Sequence, residues 1–323
     1  MMTRKHISML LIALALIGSV ILLRQRGKND SLNGGLTIGI LQTASHPALD
    51  AVRIGFMQAI REQMPKKVKF VERNAQGNVG NAHAIAQSFH ADPEVKAIFA
   101  IATPALQAIA AVEKQKPIFF AAITNPQSLG VIHPTTNVTG SSDMINIPDT
   151  INMLKELVPQ VKNVALMYNN AEPNSMFLVE EMKKELDRLN IAHLDMGVAH
   201  ESDMLSAIDS ALHKADMLLA PTDNTVASTI DLIAQKALHA KKPLIVSDNL
   251  LVDHGALAAR GIDYHTHGKQ AAQRFIAVFN EGKKPRELPV GYAVSGRIFV
   301  NQNTLKALNL TIPAHLEPMV VRR

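Results

Sequence analysis

Midway along this chain an apolar run breaks at Thr-Pro, passes into a helical stretch and returns as a second apolar run; no other stretch restricts the fold as much. Ala97 to Ala102 is unbroken apolar sequence, the pattern of a strand covered on both faces. Thr103 is a favoured N-cap and Pro104 suits the first helical position, so a helix is predicted from there to Val112. Glu113 to Lys116 brings the chain back to water, and Pro117 to Ile123 reads as a second buried strand. Strand, helix, strand is the unit of a parallel sheet, because parallel neighbours need a long crossover. Where the first strand ends, a hydroxyl and free backbone N–H groups meet at the positive end of a helix, a natural place for an anionic group. Capping alone would also account for Thr103.

The same pattern returns from Asp216 to Asp248. Met217 to Ala220 is the buried strand, Pro221-Thr222-Asp223-Asn224 is the switch into a helix, and Lys241-Lys242-Pro243 precedes the strand Leu244 to Val246, as Gln115-Lys116-Pro117 precedes Ile118 to Phe120. Around these units lie further alternations. Leu36 to Leu41, Val68 to Glu72, Val161 to Tyr168 and Ile191 to Val198 read as strands. Asp50 to Met64, Ala82 to His90, Thr150 to Leu157, Ser175 to Leu189, Asp203 to His213 and His267 to Phe279 read as helices. A strand is also expected in Ala256 to Tyr264, and another at Ile298 to Asn301. The whole reads as an α/β protein of two interleaved, doubly wound parallel-sheet lobes with a hinge and a central ligand cleft. Residues 36–145 with 256–288 form one lobe, and residues 146–255 with 289–323 the other. Ligands of such sheets bind beyond the carboxyl ends of the strands, which puts Thr103 and Asp223 on opposite walls of one cleft.

Charge and composition exclude several functions. With no cysteine, the chain has no disulfides, thiolate metal sites or thiol nucleophile. Arg4, Lys5, Arg24, Arg26 and Lys28 against Asp30 place four of the five net positive charges in the first thirty residues, so the body is nearly neutral and no nucleic-acid partner is expected. Ile7 to Leu23 is apolar and flanked by those bases, so residues 1–30 are expected to be a signal peptide or an uncleaved signal-anchor, with residues 31–35 as a tether and the body exported. The loop Asn74 to Asn81 contains Gly77 and Gly80 but neither phosphate-binding pattern, so no nucleotide cofactor is implied. No GxSxG elbow supports a hydrolase, and His265 and His267 lack the company of a metal motif, which leaves them a surface or hinge role. His46-Pro47 reads as loop structure grazing the ligand. The cleft then has an anion-holding wall at Thr103 and a cation-holding wall at Asp223 and Asp248, a pairing that fits a free amino acid.

The chain also resembles a known family over essentially all of Leu36 to Leu310. Ile38-Gly39-Ile40 through His46-Pro47-Ala48-Leu49-Asp50, Asn74 to Asn78, Ile101 to Ala105, Thr139-Gly140, Ser142-Asp143, Tyr168-Asn169, Glu172 with Asn174-Ser175, Pro221 to Asn224 and Gly255 to Ala258 carry the likeness. It is to the ABC transporter substrate-binding proteins with a type 1 periplasmic-binding fold, in the branch with tryptophan- and tyrosine-binding members. The resemblance implies binding without catalysis, no cofactor and no metal, an amino-acid ligand that is commonly aromatic, an ABC permease as partner and an extracytoplasmic location. By position it implies Gln42, Thr103, Thr124, Ser142, Asp143, Asn174, Asp223, Asn224 and Asp248 as polar contacts, with Tyr168 and Tyr264 as neighbours of an aromatic ring. Two departures stand out: Asn125 replaces an aspartate of many relatives, and no cysteine is present for a lipid anchor. A ligand-sensing ectodomain of a receptor would use the same cleft and is the alternative reading.

Overall fold

The computed structural model describes residues 35–64, 68–293 and 296–323, so the segment expected to be a signal or anchor lies outside the described residues. Among the described residues no helix is long and apolar enough to cross a membrane. The first part of the chain runs β1 (Leu36–Gln42), α1 (Pro47–Gln63), β2 (Val68–Asn74), α2 (Val79–Ala91), β3 (Val95–Ile101), α3 (Thr103–Val112), β4 (Ile118–Ile123), β5 (Val138–Ser142). The second runs α4 (Ile147–Leu157), β6 (Asn163–Asn169), α5 (Pro173–Arg188), β7 (Ala192–Val198), α6 (Met204–Lys214), β8 (Met217–Ala220), α7 (Asn224–Ser228), α8 (Ile230–His239), β9 (Leu244–Val246), β10 (Ala258–Ala259). The last elements are α9 (Tyr264–Glu281), β11 (Gly291–Tyr292), β12 (Ile298–Val300), α10 (Gln302–Ala307) and β13 (Val320–Arg322).

The strands form two sheets, one ordered β11-β5-β4-β3-β1-β2 and the other β13-β12-β10-β9-β8-β6-β7. Among the described residues every pairing is parallel except β10 with β12. Strands β3 and β4 sit inside the first sheet with helices on both faces, which is why their sequences are apolar throughout. At its edge β2 alternates instead. The helix α9 lies along α1, and the two approach closely because each presents a glycine: a Cβ on Gly55 would meet the His265 carbonyl oxygen, and one on Gly268 the Val52 carbonyl oxygen. Beneath them Phe56 stacks on Phe99 at 3.8 Å between centroids, and Phe275 joins Phe119 and Phe279.

Two boundaries fall later than the sequence suggests. Ala258–Ala259 pairs with β9 and β12, so it belongs to the second sheet, and the chain passes to the first lobe between Ala259 and Tyr264 rather than at 256. Two fully buried alanines fit the interior of that sheet, and only this pair of the expected strand at 256–264 is paired. Gly291–Tyr292 pairs parallel with β5, so the return crossing follows it rather than 289. The Arg274 guanidinium lies over Gly291, in the space a Cβ would take.

Candidate functional site

The carboxyl ends of the two sheets face each other, and a small cavity lies between them. From the first lobe it is lined by His46, Ala48 and Leu49 at the start of α1, Ala122 at the end of β4, Asp143 after β5 and Tyr264 at the start of α9. The second lobe contributes Asn174 from α5, Pro221 to Asn224 and Ala227 around α7, and Asp248 and Leu251 after β9. About 20 Å³ is open to the centre of a water-sized sphere, room for a water or two and not for an amino acid. A larger chamber of about 640 Å³ lies outside it, between the loops at 43–45 and 75–82 on one lobe and 169–172, 199–201 and 224–228 on the other. Asn224 borders both.

Four buried carboxylates surround the inner cavity, and among the described residues no lysine or arginine lines it. Asp143 accepts the Thr124 hydroxyl on one oxygen and the Tyr264 hydroxyl on the other, each at 3.1 Å, and burial pushes its carboxyl up to about 6. Asp248 accepts only the Leu250 amide, at 2.9 Å, and burial together with the charge of Asp143 lifts it to about 7. Asp223 caps α7 through the Val226 amide at 2.8 Å, and its other oxygen accepts the Asn169 amide and the Ser175 hydroxyl, both at 2.6 Å. Its carboxyl too is raised by burial. Glu172, just behind the lining, is raised to about 7 by burial and by the charge of Asp223, although Asn224 and Thr225 donate to it. Buried carboxylates without a cation are costly to ionise, and this is what raises all four.

On the first lobe the positive end of α1 faces the cavity. His46 precedes α1 without a side-chain cap bond, leaving the first-turn amides of Ala48 and Leu49 without intrahelical partners at the cavity. Burial drives the His46 ring down to about 4, so it is neutral. Its Nε2 lies 3.2 Å from Asn224 Oδ1 on the other lobe. Three buried polar atoms of the lining have no hydrogen-bond partner: His46 Nδ1, Asn174 Oδ1 and Thr222 Oγ1. Orphans of this kind are rare in a finished core and gather where something else completes the bonding.

Of the residues singled out from sequence, Asp143, Asn174, Asp223, Asn224, Asp248 and Tyr264 meet at the cavity. The others do not line it. Gln42 turns back to Ala44 O and the Asp50 carboxylate, shaping the loop before α1. Thr124 and Ser142 stand one layer behind, Thr124 on Asp143 and Ser142 on Thr124 O. Tyr168 packs over Gly197 on the far side of its strand. Thr103 is the first residue of α3 and not its cap: the cap position is Ala102, at a left-handed φ of +75°, and the free amide of Ala105 goes to the Thr43 hydroxyl at 3.2 Å. Of the amides at this helix start expected to hold an anion, that of Ala105 is therefore spent inside the protein. A threonine immediately after β1 was the only sign of this, and nothing marked its partner.

His46 proves to be a full member of the lining. His267 is buried, at 1% exposure: its Nε2 accepts the Ala122 amide at 3.1 Å, where β4 bulges and Ala122 takes a φ of +58°. It holds the strained residue that floors the cavity. His265 meets Gln58 at the α1–α9 contact.

Comparison with known proteins places these features. The family model described as ABC transporter substrate binding protein matches residues 37–319. A tyrosine-binding protein of Clostridioides difficile is 34% identical over 280 residues, covering 84% of this chain and 81% of the relative. A solved structure from Streptococcus pneumoniae, an ABC domain in complex with L-Trp, superposes with a TM-score of 0.85 at 29% identity, over 89% of this chain and 99% of that one. A ligand-free, open structure of a substrate-binding protein with adhesive properties from Clostridium difficile reaches only 0.66, at 32% identity and the same coverage. At nearly equal sequence divergence and coverage, the chain superposes better on the complexed relative than on the open one.

Proposed function

The chain belongs to the family of ABC transporter substrate-binding proteins, and from that premise we propose that it captures a zwitterionic amino acid, most plainly an aromatic one, between its lobes and presents it to an ABC permease outside the cytoplasmic membrane. The observation that carries this reading is the group of buried carboxylates facing the cavity with no protein cation among its lining residues. An ammonium group supplies that charge, and Asp143 and Asp248, on opposite lobes, are the pair it bridges. The ligand carboxylate takes the first-turn amides of α1, where the dipole favours it. Leu49, Leu251 and the ring of Tyr264 give the side chain apolar walls. The tyrosine- and tryptophan-binding relatives support an aromatic side chain.

The protein binds without chemistry, as a trap. Separating the lobes exposes both walls, and a ligand that touches both favours closure by its differential affinity for the closed form. The lining must open out around an amino acid, since the closed cavity holds a water or two. The test is thermal unfolding of the purified protein with each of the twenty amino acids. A ligand at 100 times its Kd adds about 2.7 kcal/mol, and L-tyrosine or L-tryptophan is expected among those that raise the Tm. If none does, the amino-acid reading fails.

A further inference from the structure

Which atoms the cavity presents as acceptors is decided one layer away, at Glu172. One of its oxygens, Oε2, accepts the side-chain amide of Asn224 at 2.5 Å and that of Asn174 at 3.5 Å. Asn174 Nδ2 also donates to Thr222 O at 3.0 Å. Both asparagines therefore have their NH₂ groups turned to Glu172 and their oxygens turned away. Asn174 Oδ1 is left buried and unpartnered on the cavity wall. Asn224 Oδ1 points across the lobe boundary to His46 Nε2, 3.2 Å away. An acceptor there requires the neutral imidazole to carry its proton on Nε2, which leaves Nδ1 as a bare lone pair. That nitrogen is the second buried, unpartnered atom of the wall.

We propose that Glu172 is a positioning residue that sets the hydrogen-bond polarity of the cleft, fixing His46 Nδ1 through Asn224 as an acceptor beside Asn174 Oδ1, which the Thr222 carbonyl holds outward with a longer contact to Glu172, so that a ligand must meet both with N–H or O–H donors. The rest of the site agrees with this. Glu172 is itself anchored from Asn224 and Thr225, by the two backbone amides at 3.2 Å and the Thr225 hydroxyl at 3.1 Å, so its carboxylate stays in place while the lobes move. It sits on one lobe and controls a nitrogen on the other. The relay from Glu172 through Asn224 to His46 is therefore complete only when the lobes are closed, so the donor requirement is imposed at closure. The ligand class that follows is a primary amine whose several N–H groups reach more than one acceptor, in preference to a carboxylic acid of the same shape without the amine.

The inference rests on the amino-acid reading for its ligand but not for its relay, and two measurements keep them apart. The first needs no ligand. ¹⁵N NMR of the full-length protein at pH 8, with the His46 signal assigned by comparison with H46N, should show a single Nε2–H tautomer in the native chain and a mixture in Glu172→Gln, whose amide offers a donor and an acceptor alike. A pure Nε2–H tautomer in both proteins overturns the relay. The second uses calorimetry with L-tryptophan and its des-amino analogue, indole-3-propionate. Glu172→Gln should weaken L-tryptophan about tenfold or more and the analogue by less than about threefold, because only the amine meets the fixed acceptors. Equal losses for both, with the Tm of the free protein also lowered, would make Glu172 merely structural and overturn the proposal; Glu172→Asp, which keeps a carboxylate, should recover part of the preference. If the native protein binds neither compound, the ligand reading falls while the tautomer result still judges the relay.

Discussion

Replacing Asp248 by asparagine keeps the bond it accepts from the Leu250 amide and removes a carboxyl that burial and Asp143 hold at about 7 instead of 3.8. In the folded chain this acid keeps its proton across a pH range in which the unfolded chain has already released it. Its contribution to stability is thus full below about pH 4 and is lost as pH rises through about 7. At about 1.4 kcal/mol per pH decade, ionising Asp248 in the empty closed form costs up to about 4 kcal/mol. The asparagine variant escapes that cost. It should match the native protein near pH 4 and exceed it at pH 8 by about 2–4 kcal/mol, which for a chain of this size is about 3–6 °C in Tm. The same change removes the anion that an ammonium ligand would meet, so binding at pH 8 should weaken about 10-fold or more. Calorimetric unfolding from pH 4 to 8.5, with and without L-tryptophan, reads both effects. A variant less stable than the native protein at pH 8, or one whose advantage does not change with pH, would refute the reasoning. Such a result would mean that Asp248 is satisfied in the folded state.

Two further expectations concern the frame around the cavity. Gly268→Ala puts a methyl 2.1 Å from the Val52 carbonyl oxygen and forces α1 from α9; denaturant unfolding should show a loss of about 1–3 kcal/mol or more, with weaker ligand binding because His46 and Tyr264 sit where those helices start. His267→Leu leaves the Ala122 amide buried without an acceptor, at a cost of about 1–3 kcal/mol by the same assay, and His267→Gln should restore part of it.

The two-lobed architecture is legible in the chain because burial on both faces leaves continuous apolar runs: β3, β4, β8 and β9 all stand where such runs predict them. What escapes is whatever depends on partners far away in sequence. Ala258–Ala259 and Gly291–Tyr292 are pairs too short for any periodicity, and only their neighbours in the sheets assign them. Thr103 has every mark of a cap, yet the cap position is Ala102, and Thr43, sixty residues earlier, takes the Ala105 amide of that helix start. Tyr168 and Tyr264 look alike as aromatic candidates, and strand direction sends one under Gly197 while a helix start sends the other to the cavity.

Glu172 is the sharpest case. An acid before a proline at a helix start is ordinary surface sequence, and nothing local distinguishes it from one exposed to water. Its role comes from being buried beside Asp223 while touching two asparagines, one of which reaches the other lobe. The carboxylates themselves were legible as acids, but not as uncompensated ones, since that follows from the absence of any lysine or arginine among the lining residues. The same lack of a cation makes the empty site lose stability as pH rises and would make a bound ammonium group stabilising, so the electrostatic weakness of the free protein and the amine selectivity proposed for it have one physical origin.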